Sequence, residues 1–312
     1  MSRSMLAARD GPWSRRRRMK NDALFWLATA ALRAGLALPK ALLPSAGALL
    51  GQLSYLTLGR ARRIALRNLE RVYPSLAPAE RRAMVARTFR CLGQNLTNTL
   101  ALLDAREPEE RTLSLPAESA NALAAALAEG RGVVYATAHL GPWERMASLL
   151  AHRGFPITTL ARESYDPRFH ELLYDPLRAR RGVTAIYRGS PGAPAAIVRA
   201  LKKGRVLGFL MDLPGRVPTI PVTLLGQPSR APVGPARLAL RLGVPVVVGC
   251  PAPGKNGSTE IHIARLSTAG LVAGETGEAA LTQRIADALS DHIRAWPAAW
   301  PWMHPSFDAP LL

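Results

Sequence analysis

The stretch that most constrains the fold is Val133-Val134-Tyr135-Ala136-Thr137, followed by Ala138-His139-Leu140-Gly141-Pro142-Trp143-Glu144. An apolar, β-branched run with no polar alternation predicts a strand buried on both faces, and such strands belong to parallel sheets covered by helices. Pro142 suits the first turn of a helix, where a missing N–H costs nothing. The chain thus passes from strand through a tight turn into a helix. It carries the imidazole of His139 and the carboxylate of Glu144 to the carboxyl end of the strand, the place where open α/β sheets form ligand sites.

The spacing is H-x-x-x-x-E. A histidine just before a helix and an acid in its first turn can share a hydrogen bond. The carboxylate would fix the ring tautomer and raise its basicity, and the other nitrogen could take a proton from an attacking hydroxyl. Taken alone the spacing is weak, because a histidine at a helix start also serves as a cap or a satisfied core residue.

The same alternation recurs along the chain. Apolar runs at 157–160, 184–187, 204–212 and 244–250 read as further buried strands, and 260–266 alternates like an edge strand. Helical patterns at 78–103, 116–129, 142–152, 167–181, 193–203, 237–242 and 278–294 separate or flank them. This predicts an α/β fold with a mixed, mostly parallel central sheet flanked by helices. Three regions follow: a basic, disordered arm over 1–20, a helical and membrane-associated region over 21–105, and an α/β domain over 106–312.

Several polar residues sit where this fold places sites. Arg162 lies just past a strand tip near His139, where a guanidinium could hold a phosphate or pantetheine, or polarise a thioester carbonyl; an ordinary surface ion pair is the alternative. The run 204–212 is a buried strand ending in an acid, Asp212. Arg178, Arg180 and Arg181 mark a helix end, where cations complement the helix dipole, a sufficient structural reason for them. Gln94, Asn95, Asn98 and Thr99 cluster late in their helix, as packing or as cleft lining.

The 312 residues carry 41 basic and 22 acidic side chains, a net charge of +19. Such an excess implies an anionic partner: nucleic acid, acidic lipid, or a phosphorylated or acidic substrate. The arginines are spread over several elements and no nucleic-acid-binding motif is present, which argues against nucleic acid. Cys91 and Cys250 read as core thiols in a reduced environment. No zinc spacing, phosphate loop or dinucleotide fingerprint occurs, so neither a metal nor a bound cofactor is expected.

Residues 22–58 are rich in alanine and leucine but are interrupted by Arg33, Pro44 and Gln52. Neither half is an unbroken run of the about 20 apolar residues that span a bilayer. Three readings stand: a short or tilted anchor, a pair of interfacial amphipathic helices, or a buried soluble pair. Arg15, Arg16, Arg17, Arg18 and Lys20 before it suit a positive-inside flank or an anionic-lipid anchor. A twin-arginine export signal is disfavoured by Arg33 and by the lack of a small-residue cleavage site. Arg60, Arg62, Arg63, Arg67 and Arg71 then form a basic amphipathic helix with Ile64, Leu66 and Leu69.

The stretch Thr137-Ala138-His139-Leu140-Gly141-Pro142-Trp143-Glu144 resembles the T-x-H-x-G-N-W-E pattern of the lysophospholipid acyltransferase superfamily. Within it the chain is similar to the lauroyl/myristoyl transferases of lipid A biosynthesis. The resemblance extends over about residues 20–305. It includes an R-x4-N-L segment at Arg63 to Leu69, an R-x-x-G near Arg180 or Arg181, Asp212, and a P-x-x-W-x-W-x-H segment around Trp300, Trp302 and His304. Pro142 replaces the usual asparagine, and Leu213 a glutamine after the aspartate.

The resemblance implies an O-acyltransferase. His139 and Glu144 would be catalytic, and Arg162, Arg180, Arg181, Asp212, Trp143 and Gly141 would bind substrate. The donor would be a thioester of acyl carrier protein or coenzyme A, and the acceptor a glycolipid such as a lipid A precursor. The protein would sit on an anionic membrane, the bacterial inner membrane, with its site on the cytoplasmic side. Alternatives are a lysophospholipid, amino-acid lipid or inositol mannolipid acceptor, a hydrolase using the same His/Glu pair, or a non-enzymatic basic membrane- or nucleic-acid-binding protein.

Overall fold

The computed structural model describes residues 15–104, 106–162, 166–214, 217–254, 258–304 and 307. An N-terminal helical layer comes first: α1 (Arg15–Ala37), α2 (Leu43–Thr57), α3 (Gly59–Val72) and α4 (Pro78–Ala101). The helix α1 starts at Arg15, so 15–20 is helical rather than disordered; the arm before it, with Arg3 and Arg9, lies outside the described residues. The helices α2 and α4 meet backbone to backbone, since a Cβ on Gly51 would lie 2.1 Å from the Phe89 carbonyl oxygen. Such small-residue contact leaves Leu49, Leu53 and Leu56 pointing outward and exposed. Among the described residues no single helix is long and apolar enough to cross a membrane, and the pair 18–35 and 40–57 is bent by 117° at its break.

The remaining elements are α5 (Ala117–Leu127), β1 (Val133–Thr137), α6 (Trp143–His152), β2 (Ile157–Arg162), α7 (Asp175–Arg180), β3 (Thr184–Arg188), α8 (Ala193–Lys202), β4 (Val206–Leu210), β5 (Thr219–Leu224), β6 (Gln227–Pro232), α9 (Gly234–Leu242), β7 (Val246–Pro253), β8 (Thr259–Leu266) and α10 (Glu275–Ala295). Six strands form one sheet in the order β3-β2-β4-β1-β7-β8. All neighbours are parallel except β7 and β8, which are antiparallel. The expected mixed, mostly parallel sheet is therefore present. Every residue of β1 is buried, as its unbroken apolar run requires.

Two features differ from the sequence expectation. The stretch before α7 contains a turn of π-helix, His170–Tyr174, a form that often marks functional sites. The segment 219–232 folds as a β5–β6 hairpin closed by Leu225 and Gly226, both with positive φ, which matches the right-handed strand twist.

Two clamps hold the layers around the sheet. Asn68 of α3 donates from Nδ2 to the carbonyls of Trp302 and His304, tying the helical layer to the C-terminal segment. Arg145 of α6 is fully buried and donates to Glu107 and to the carbonyls of Pro108 and Asn98. A buried charge is tolerated only when paired and hydrogen-bonded like this.

Candidate active site

The parallel register builds the site. In the ladder Thr137 of β1 stands beside Leu210 of β4. Two residues further along each strand come His139 and Asp212, so the sheet delivers both to the same level. His139 Nδ1 lies 2.9 Å from Asp212 Oδ1, and the His139 backbone N–H donates to Oδ2 at 3.0 Å. Trp300 Nε1 donates to the same Oδ2 at 2.8 Å. Asp212 is only 1% exposed, whereas the His139 side chain is 26% exposed. With Nδ1 taken by the carboxylate, Nε2 is the nitrogen left for chemistry, and His139 lines a cavity of about 880 Å³.

The electrostatics agree with this pairing. Burial opposes protonation of His139, but the charge and hydrogen bond of Asp212, with a further contribution from Glu144, outweigh it and raise its pKa. Burial alone would raise the pKa of Asp212; His139 and the Trp300 and backbone N–H donors outweigh it and hold the carboxyl ionised.

This corrects the expected role of Glu144. The carboxylate that fixes the His139 ring is Asp212. Glu144 accepts from Arg178 Nη2 at 2.8 Å, and Arg178, itself buried, needs that counter-charge. Glu144 still lines the cavity and acts on His139 only through space.

Arg180 and Arg181 also need correction, because neither lines the cavity. Arg180 donates to the Leu103 carbonyl; Arg181 donates to the carbonyls of Leu102, Asp104 and Glu107. Carbonyls at and just past a helix C-terminus lack intrahelical partners, and these two guanidinium groups supply them behind α4.

Arg162 does line the cavity, and its in-register neighbour on β3 is Arg188, which lines it too. Burial and the Arg162 charge both lower the pKa of Arg188, and its Nε is buried with no hydrogen-bond partner among the described residues. Two like charges side by side destabilise a sheet unless an anion sits between them. Arg188 went unassigned in the sequence although it carries the same signal as Arg162, an arginine at a strand tip.

Gly141 and Trp143 shape the wall. Gly141 has φ +57°, and a Cβ there would lie 2.7 Å from Trp296 Cζ3, so the turn after His139 accepts only glycine. Trp143 meets the His139 ring edge-on at 5.3 Å. Asn95 and Thr99 of α4 line the cavity, whereas the Asn98 carbonyl serves Arg145. His304 stands 6.4 Å from His139, ring centre to ring centre. Cys250 is buried behind the site, and desolvation pushes its thiol up to about 12, which removes it as a nucleophile. Among the described residues no group of three metal-ligating side chains occurs.

The chain is similar to known proteins. The chain is 30% identical over 192 residues to the phosphatidylinositol mannoside acyltransferase of Mycobacterium tuberculosis, covering 61% of this chain and 58% of that protein. It is 28% identical over 193 residues to the protein of the same name from Mycolicibacterium smegmatis, covering 60% of each. The chain thus spans about three fifths of the length of these relatives. A family model described as bacterial lipid A biosynthesis acyltransferase matches residues 12–308. That match takes in the whole sheet, the Asn68 and Arg145 clamps and the His139–Asp212 pair, and the chain belongs to the bacterial lipid A biosynthesis acyltransferase family.

Proposed function

We propose that the protein is an O-acyltransferase that moves a fatty acyl group from a thioester donor, acyl carrier protein or coenzyme A, to a hydroxyl of a membrane glycolipid. The observation that carries this reading is the His139–Asp212 pair, with no partner on Nε2 among the described residues, at a largely apolar cavity. His139 Nε2 takes the proton of the acceptor hydroxyl as its oxygen attacks the thioester carbonyl carbon. The tetrahedral intermediate collapses, the C–S bond breaks, and the imidazolium returns the proton to the departing sulfur. Asp212 keeps the ring in the tautomer that leaves Nε2 basic and stabilises the imidazolium. Arg162 and Arg188 offer positive charge for the oxyanion or for a phosphate of either substrate.

The relatives are named for phosphatidylinositol mannoside and the family for lipid A. Both acceptors are phosphorylated glycolipids, and the basic excess suits either. The exposed apolar face of α1 and α2, with Leu24, Trp26, Leu27, Leu49, Leu53 and Leu56, supports docking in the plane of an anionic bilayer. On this reading the protein works at the cytoplasmic face of a bacterial inner membrane, where thioester donors occur.

The test is transfer of labelled lauroyl and myristoyl groups from both donors to a phosphorylated lipid A precursor and to phosphatidylinositol mannoside, with His139→Ala in parallel. An acylated lipid lost on the order of 10²–10⁴-fold in the variant supports the reading. Free fatty acid alone would point to a hydrolase, and full activity in the variant would remove His139 from the chemistry.

A further inference from the structure

The cavity does not stop at His139. It continues over the α6 face of the sheet, along Leu210, Gly208 and Val206 of β4. Gly208 lies between Tyr135 of β1 and Thr159 of β2 in the parallel register. Glycine in the interior of a central strand loses packing and often marks a close approach by a ligand. A Cβ built on Gly208 would meet only the Thr158 carbonyl oxygen, 3.7 Å away, so the space above it is open. Gly208 is half-buried, although strands flank it on both sides, whereas Val206, Ile157 and Leu150 beyond it are buried and close the far end.

Resting on the acyltransferase reading above, we propose that Gly208 determines acyl-chain length, because its missing side chain is the passage through which long chains reach the closed end. Asp212 and Gly208 are four strand residues apart. An extended chain has three backbone bonds per residue, so about twelve bonds of extended alkyl chain cover that distance. Chains shorter than this end before Gly208, and longer ones lie across it. A side chain at 208 then blocks long donors and leaves short ones untouched. Gly208 has no positive φ, so the strand accepts other residues there.

The test is isothermal titration of the full chain with acyl-coenzyme A and with acylated carrier protein, from octanoyl to octadecanoyl. Wild type, Gly208→Ala, Gly208→Val and Leu150→Ala are compared. Gly208→Val should weaken hexadecanoyl binding about tenfold or more and keep octanoyl binding within about twofold, because only methylenes beyond the glycine lose burial. Gly208→Ala should shift the same way by less, and it gives the answer should the valine variant not fold. Leu150→Ala should move the preferred length upward by opening the closed end. An equal effect of the Gly208 substitutions at all lengths, or no effect at any, would overturn the assignment and leave the acyltransferase reading intact. Failure of wild type to bind a thioester of any length would overturn both.

Discussion

Asp212 Oδ1 sits 2.9 Å from His139 Nδ1 although the two residues are 73 positions apart, and Asp212 Oδ2 is held by Trp300 Nε1 and the His139 N–H. A buried carboxylate held by three hydrogen bonds is a rigid support, and it sets the orientation of the ring before any substrate arrives.

Removal of that support should slow the chemistry while the fold survives. Asp212→Asn is expected to lower kcat on the order of 10²–10⁴-fold by losing the tautomer control, and Trp300→Phe by less. Steady-state kinetics with either donor check this. Equal kcat in Asp212→Asn and wild type would return the orienting role to Glu144.

The pH profile carries a signature of its own. His139 must be neutral to accept a proton, and its pKa is raised, so activity should fall on acidification with a limb above the ordinary histidine value. Asp212→Asn removes the largest cause of the rise and leaves burial, which favours the neutral ring. The limb should therefore move to lower pH in that variant. A limb that stays in place would mean that another group titrates.

Arg181 and Arg188 should separate stability from function. Arg181→Ala removes the donor from the Leu102 and Glu107 carbonyls, while the Asp104 carbonyl keeps the Glu107 N–H, and should cost on the order of 2–4 kcal/mol in urea unfolding, with little change in KM. Arg188→Ala relieves a like-charge neighbour, so it should unfold at nearly the same urea concentration and yet raise KM or lower kcat. The reverse outcome would exchange their roles.

Gly141→Ala should be costly for two reasons, its φ of +57° and the ring of Trp296 beneath it. A loss of about 1–3 kcal/mol is expected by thermal or urea unfolding. Wild-type stability would mean that the turn relaxes without effort.

The outward leucines of α2 are held away from the core by the glycine contact with α4. Leu53→Glu combined with Leu56→Glu should reduce co-sedimentation with anionic phospholipid vesicles and leave the circular dichroism spectrum unchanged. Undiminished vesicle binding would exclude this face as the docking surface.

Much of the fold was legible because its signals are local. The unbroken run at β1, the caps and breaks between helices, and the histidine at a strand end are all encoded within a few residues. Asp212 was visible as an acid ending a buried strand. The β5–β6 hairpin was missed because its turn, Leu225-Gly226, carries only half of the usual turn chemistry. Arg180 and Arg181 matched a motif, but a motif does not reveal that α4 ends beside them with unpaired carbonyls.

The amino-acid order alone is enough to show that the chain alternates strand and helix, that His139 stands at a carboxyl strand end, and that basic side chains outnumber acidic ones, 41 to 22. Which carboxylate pairs with the histidine is set by the fold. Glu144 is five residues away and Asp212 is 73, yet β4 lies beside β1 in register, while the Gly141 turn and the start of α6 carry Glu144 toward Arg178. Strand order is set by packing across the whole sheet, and no local spacing records it.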